Sequence, residues 1–307
     1  MTAQGIPATY QLWRDHRGRV SLLRVVTLAC LLWPAVLTAW DVWWQQLGAR
    51  PINDLIHRSG FWAIVFIMAS LAVTPLRQVA RLGALVDVRR IIGVGAFCYA
   101  AVHISLYVAD QMFDLGKVAS EIVLRPYLTI GFIALLGTTA LAVTSTDTMV
   151  RRLGGLRWRR LHQVIYLIGV LALIHFFQQT KSDTSVPMLV AALFGWMMAY
   201  RLLAARWSRN EVPPWAAVLL TVVVAALTFA AEALWIAFKF GVSPLVVLQT
   251  AFDLDAGIRP GWIVLGAGLT AVAIGALRSL VRSAGGPRAR AVRTSATRQP
   301  VRERVQG

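Results

Sequence analysis

Residues 89–110 read RRIIGVGAFCYAAVHISLYVAD: two arginines, an apolar run from Ile91 to Ala109, and a closing aspartate, with one histidine inside the run. An α-helix needs about 20 mainly apolar residues to cross a hydrocarbon core, so this stretch predicts a membrane span. Its ends carry opposite charge, and an ionisable side chain, His103, stands in its interior. Span, sidedness and chemistry can each be followed outward from here.

Seven further stretches have the same character: Val20–Trp40, Phe61–Leu76, Pro126–Thr144, Leu161–Phe177, Pro187–Ala204, Trp215–Phe238 and Gly261–Leu280. The chain is 57% hydrophobic and only 15% charged, against about 25% charge in a soluble domain. A soluble enzyme is excluded as the main reading. The second stretch is short, bounded by Gly60 and by Pro75-Leu76-Arg77. Three others begin at or near proline (Pro126, Pro187, and Pro213-Pro214), which suits a first helical turn. The expected fold is an all-α bundle of about eight transmembrane helices. The first span follows Arg14, Arg17 and Arg19 as a signal peptide would, but its apolar core exceeds the usual 7–15 residues. Trp40, Trp43 and Trp44 behind it suit an interfacial belt, so a retained helix is expected.

The net charge of +17 would suit a nucleic-acid partner if it were spread over one surface. It is not. Assigned to alternate sides of the eight spans, 24 of the 31 Lys and Arg residues fall on one side and 7 on the other. Asp41, Asp54, Asp110, Asp114, Glu121, Asp183, Asp253 and Asp255 all fall on the arginine-poor side. Cytoplasmic loops of membrane proteins are rich in Lys and Arg, so both termini are expected in the cytoplasm. Residues 1–19 form a short cytoplasmic segment on this reading. Residues 282–307 form a basic, disordered tail able to touch anionic lipid headgroups. The charge reports topology, and no nucleic-acid partner is needed to explain it.

Five histidines occur: His16, His57, His103, His162 and His175. Ionisable groups inside a span are costly and mark functional sites. His103 lies about 18 Å along the third span from its arginine-rich end, and His175 about 21 Å along the fifth, at 1.5 Å per residue. Two imidazoles thus reach nearly one depth, as two axial ligands of one haem b require. The competing reading is a pair of helix–helix hydrogen bonds. His162 stands 13 residues before His175, about 20 Å away and about 140° out of register on a straight helix. At its depth the third span offers Arg89 and Arg90, which cannot ligate iron but can pair with haem propionates. His162 is therefore a single ligand of a second haem, a quinone or flavin contact, or a surface histidine. His16 and His57 fall outside the spans. Cys30 and Cys98 lack any metal or disulfide spacing. Glu232, inside the seventh span, is placed to pair with a cation or take a proton, or simply to snorkel near Trp235 and Lys239. No glycine-rich dinucleotide fingerprint follows a strand, so electrons would come from quinol or a separate reductase.

Several ordered motifs point to one family. Thr74-Pro75-Leu76-Arg77, Arg89-Arg90-Ile91-Ile92-Gly93 running to His103, and Arg125-Pro126-Tyr127-Leu128-Thr129-Ile130-Gly131-Phe132 resemble the MsrQ (YedZ) family, within the ferric-reductase-like group. So does the run from Leu141 through Thr144-Ser145-Thr146, Met149, Arg151-Arg152-Leu153-Gly154, Trp158, Leu161-His162 and Tyr166 to His175. The resemblance covers residues 20–205 and implies a six-helix haem-binding core. It implies one or two haem b groups held by His103, His162 and His175, with arginine at the Arg89-Arg90 depth, and FMN as a further cofactor. It implies transfer of electrons from the quinone pool, or from a cytoplasmic flavin reductase, across the bacterial inner membrane. The acceptor would be a periplasmic molybdopterin enzyme, MsrP, that reduces methionine sulfoxide in oxidised proteins. The rival readings are a ferric-reductase-like carrier for another acceptor and a proton-coupled transporter. Residues 206–281, with two more spans, have no counterpart in short family members and put the partner in doubt.

Overall fold

The computed structural model describes residues 12–14, 18–180, 184–207, 212–253 and 257–284. His16 and Lys181 lie outside them, as does the expected disordered tail except at 282–284, where the last helix continues. Eight helices among these residues are long and apolar enough to cross a membrane, as the sequence predicts. In chain order the elements are α1 (Leu22–Trp43), α2 (Pro51–Val79), α3 (Arg89–Asp110), α4 (Leu115–Leu124), α5 (Pro126–Val143) and α6 (Asp147–Leu153). They continue with α7 (Gly155–His162), α8 (Ile165–Gln179), α9 (Ser185–Ala204), α10 (Pro214–Phe240), α11 (Pro244–Thr250) and α12 (Pro260–Ala284). A 3-10 turn, Gly83–Val88, leads into α3.

Local chemistry sets the ends. Proline opens α2, α5, α10 and α11, where its missing N–H costs nothing. Asp114 caps α4 by accepting from the Lys117 amide at 2.9 Å, and Thr146 caps α6 through the Met149 amide at 3.3 Å. Gly154 separates α6 from α7 at φ +74°, a left-handed conformation that favours glycine.

Two spans differ from the sequence expectation. The second is not the short Phe61–Leu76 but a 29-residue helix, Pro51–Val79. It starts ten residues earlier because Pro51 initiates it and its polar first turns need no hydrocarbon. His57 therefore sits on a helix and not in a loop. It also runs through Pro75, which has no N–H for the carbonyl of Leu71 four residues before it. Arg201 of α9 donates its Nη2 to that Leu71 oxygen, so the orphaned acceptor is satisfied from a neighbouring helix. The fifth span is not one straight helix: α7 ends at His162, and a tight turn through Gln163 and Val164 precedes α8. The Gln163 amide is shared between the Arg159 and Arg160 carbonyls. The straight-helix register between His162 and His175 therefore does not apply.

α2 is the central element and packs most extensively against α3, while α5 pairs with α8 and α10 with α12. α9 touches α2, α8, α10 and α12 and joins the last two spans to the rest. The buried core is centred on Ile64, Ile67 and Leu71 of α2, with Ile168, Phe194 and Tyr200 packed around them. Outside, the helices expose large apolar side chains along their middles, among them Trp33, Val102, Leu136, Val170 and Leu227. A soluble monomer does not present such a surface, and helices with internally satisfied backbones are what hydrocarbon tolerates. This is a multi-pass membrane protein. At the arginine-poor end Arg58 of α2 pairs with Asp41 of α1. Glu232 of α10, 5% exposed, lies 3.5 Å from Arg259 at the head of α12. Its carboxyl is buried and pairs with the partly exposed Arg259 just before α12, so it does not snorkel.

Candidate functional site

α3 and α8 bring His103 and His175 together, as their depths predict. The imidazole centres are 6.3 Å apart and the ring planes meet at 82°. Each ring is held by a third party. His103 Nδ1–H donates to the Ile56 carbonyl of α2 at 2.8 Å, and His175 Nδ1–H donates to the Tyr127 carbonyl of α5 at 2.8 Å. A carbonyl can only accept, so the proton is fixed on Nδ1 in both. Nε2 of each neutral ring is left with its lone pair, the form that binds a metal. Both imidazoles thus make the helix–helix hydrogen bonds of the competing reading, each to main chain of a neighbouring helix.

The pair lies in a cavity of about 300 Å³, at the lower end of ligand-pocket sizes. Its deep part is mainly apolar, with Ile64, Ile67, Ala134, Leu135 and Ala172 beside Thr138; its mouth is polar, with Asn53, His57, Asp110, Gln179 and Thr180. Asn53 is in the first turn of α2, Asp110 ends α3 and Gln179 ends α8, so the mouth opens at the arginine-poor end of the bundle. His57 is near enough to His103 to act on it electrostatically. Sequence reasoning set His57 aside because its apolar run begins only at Phe61.

His162, Arg89 and Arg90 gather at the opposite, arginine-rich end. His162 is half-buried, its ring stacked on Trp158 with centres 3.9 Å apart. Its Nδ1–H donates to the Trp158 carbonyl at 3.1 Å, and its Nε2 lies 3.3 Å from the Ser145 hydroxyl. The Arg89 and Arg90 guanidiniums act on it through space, while Arg90 pairs with Asp147 of α6. His162 is thus held in place by stacking on Trp158 and by its bond to the Trp158 carbonyl. Among the described residues no group of three or more His, Cys, Asp or Glu side chains is placed to hold a bare metal ion. Sequence reasoning also missed Gly60, Gly131 and Arg201. Their signals were present: a glycine four residues after each anchoring carbonyl, and a proline four residues after Leu71.

Residues 59–173 match the profile of the family described as Ferric reductase like transmembrane component. The chain is 41% identical over 193 residues to the protein-methionine-sulfoxide reductase heme-binding subunit MsrQ of Rhodospirillum rubrum, spanning 62% of this chain and 90% of that one. To the MsrQ subunit of Xanthomonas oryzae pv. oryzae it is 40% identical over 208 residues, 64% of this chain and 94% of the relative. To that of Xanthomonas campestris pv. campestris it is 42% identical over 198 residues, 61% and 90%. No solved structure matches significantly. With this identity across nine-tenths of each relative's length, the chain belongs to the family of MsrQ heme-binding subunits.

Proposed function

We propose that the chain is a haem b protein of the bacterial inner membrane that passes electrons across it to a methionine sulfoxide reductase, His103 and His175 being the axial ligands. The observation that carries this reading is the facing imidazole pair with both protons committed to Nδ1. Two metal–imidazole bonds of about 2 Å, with roughly 1 Å more from each nitrogen to its ring centre, put the centres about 6 Å apart. The separation of 6.3 Å fits. A pair of imidazole nitrogens suits a metal that brings further donors of its own, as haem iron does. When bound, the haem would supply a one-electron carrier. The residues around it have distinct tasks: Ile56 and Tyr127 orient the imidazoles, the aliphatic floor excludes water, and the polar mouth can meet the propionate carboxylates.

The sidedness of Lys and Arg supports cytoplasmic termini, which puts the cavity mouth at the periplasmic face and His162 near the cytoplasm. There Arg89, Arg90 and His162 form the natural place for a second cofactor, a second haem or FMN, with the guanidiniums taking its carboxylates or phosphate. Electrons would arrive at that end from quinol or a flavin reductase and leave at the mouth toward a periplasmic, MsrP-like molybdopterin enzyme. We assign residues 20–205 as the haem-binding core and 206–281 as an added helical pair. The ferric-reductase-like profile favours one rival, the same electron carrier serving another oxidant.

The test is spectroscopic. Protein purified after haem-replete expression should show a reduced-minus-oxidised haem b spectrum, with the haem-to-protein ratio falling to near zero for the cavity haem in His103→Ala and His175→Ala. His162→Ala should leave that haem in place. A colourless wild type would defeat both electron-carrier readings.

A further inference from the structure

Glycine in a helix interior weakens it, because it has the most backbone freedom to lose. α2 and α5 nevertheless carry Gly60 and Gly131 at the level of the cavity. Each stands four residues after the carbonyl that holds a histidine, Ile56 or Tyr127. In an α-helix that carbonyl already accepts from the amide four residues on. The imidazole must therefore share an occupied acceptor, approaching directly over the backbone of the glycine. A Cβ at position 60 would lie 2.9 Å from both Cε1 and Nδ1 of His103. A Cβ at 131 would lie 2.8 Å from the same atoms of His175. A Cβ does not come so close to an atom it is not bonded to. Other helical glycines differ: Gly195 and Gly266 face open space, and Gly137 and Gly169 face Ile168 and Phe194. Among the described residues, only Gly60 and Gly131 face an imidazole.

We infer that Gly60 and Gly131 are positioning residues for the two imidazoles: each leaves the gap through which a ring reaches a main-chain carbonyl on the neighbouring helix. The device is used twice, on unrelated pairs of helices, and it explains why ligands from α3 and α8 are anchored by α2 and α5. The inference rests on the reading that the pair holds a haem. An alanine at either position drives the ring off its carbonyl. The imidazole then loses the hydrogen bond that makes it a stronger donor to ferric iron, and its plane turns. Losing such an outer partner weakens metal binding by about 10- to 100-fold.

The test compares haem affinity, midpoint potential and the low-spin ferric EPR signal, which responds to the angle between the imidazole planes. Gly60→Ala and Gly131→Ala are expected to bind haem at least about 10-fold more weakly, with a raised potential and a changed EPR signal. Gly137→Ala is the control, since its Cβ would crowd Ile168 at 2.9 Å and touch no ligand; it should lose stability and keep both signatures. Should either single variant fail to fold, His103→Gly removes the ring that a methyl group at position 60 would strike. Free imidazole should restore the low-spin spectrum of His103→Gly, and should do so at least about 10-fold less tightly in the Gly60→Ala, His103→Gly double variant. Equal imidazole affinity, or glycine variants with wild-type potential and EPR signal, would overturn the inference while leaving the haem reading intact. A wild type without haem would defeat the haem reading itself.

Discussion

Pro75 and Arg201 should be energetically coupled although they sit 126 residues apart in the chain. Pro75 leaves the Leu71 carbonyl without its helical partner, and Leu71 is fully buried, at 0% exposure. Arg201 Nη2 fills the gap, with its Nη1 donating to the Met197 carbonyl at 2.9 Å and its guanidinium 5.4 Å from the centre of the Tyr166 ring. Replacing Arg201 by leucine leaves the Leu71 oxygen buried and unsatisfied, a penalty of about 1–3 kcal/mol. Loss of the cation–π contact adds about 0.5–2 kcal/mol. In a Pro75→Ala background the alanine N–H takes the Leu71 oxygen itself, so the first penalty disappears and only the second remains. The double-mutant cycle should therefore show a coupling of about 1–3 kcal/mol, read as a difference of a few degrees in the midpoint of thermal denaturation in detergent micelles. Desolvation of the guanidinium is common to both arms and cancels. Additive effects within about 0.5 kcal/mol would refute the assignment of Arg201 to the proline gap.

Two further outcomes concern the last two spans. Removing one partner of the buried pair, as in Glu232→Leu, should destabilise by about 1–3 kcal/mol, less than for a fully buried pair because Arg259 keeps 27% of its side chain exposed. Glu232→Leu with Arg259→Leu should regain most of that loss, measured by thermal denaturation; an equally unstable double variant would show that the pair is not the source of the cost. A Cβ on Gly275 would overlap the Val79 carbonyl oxygen, so Gly275→Ala must push α12 away from the end of α2, costing about 1–3 kcal/mol. Gly266→Ala, which faces open space, should be neutral or slightly stabilising; an equal loss in both variants would contradict the close approach at Gly275.

The spans, their number and the depth of the two cavity histidines were legible because hydrophobicity and helical rise act locally, residue by residue. The long start of α2 was not, since its polar turns lie beyond the hydrocarbon and carry no apolar signal; helix initiation at Pro51 decides it. The break between α7 and α8 was hidden for a different reason: Gln163 and Val164 contain neither proline nor glycine, and the turn is closed by backbone bonds within α7. The anchoring carbonyls of Ile56 and Tyr127 belong to main chain, so side-chain identity at those positions is silent about them. What sequence does record is the glycine four residues later, and its meaning emerges only once a ring from another helix is seen over it.

α2 ties these features into one structural account. Its first turns supply Ile56 and Gly60 to the His103 anchor, its middle carries the Leu71–Pro75 gap closed by α9, and its last turn meets Gly275 of α12. The cavity lining comes from α2, α3, α4, α5 and α8 with Thr180, whereas α10 and α12 reach the core through α9, the end of α2 and the ring contact of Trp235 with Phe177. Attached in this way, the last two spans supply no residue to the cavity lining among the described residues. Two routes join the extension to the imidazoles: α2, which carries the Ile56 anchor near one end and meets α12 at the other, and α8, where Trp235 packs on Phe177 two residues from His175. Strain introduced at Val79 would have to pass Pro75 to reach Ile56. There the helix has already surrendered a main-chain bond, and Arg201 ties it to α9 instead. The clamp at Leu71 therefore interrupts the route through α2 to His103, while the Trp235–Phe177 contact leaves α8 and His175 in direct touch with α10.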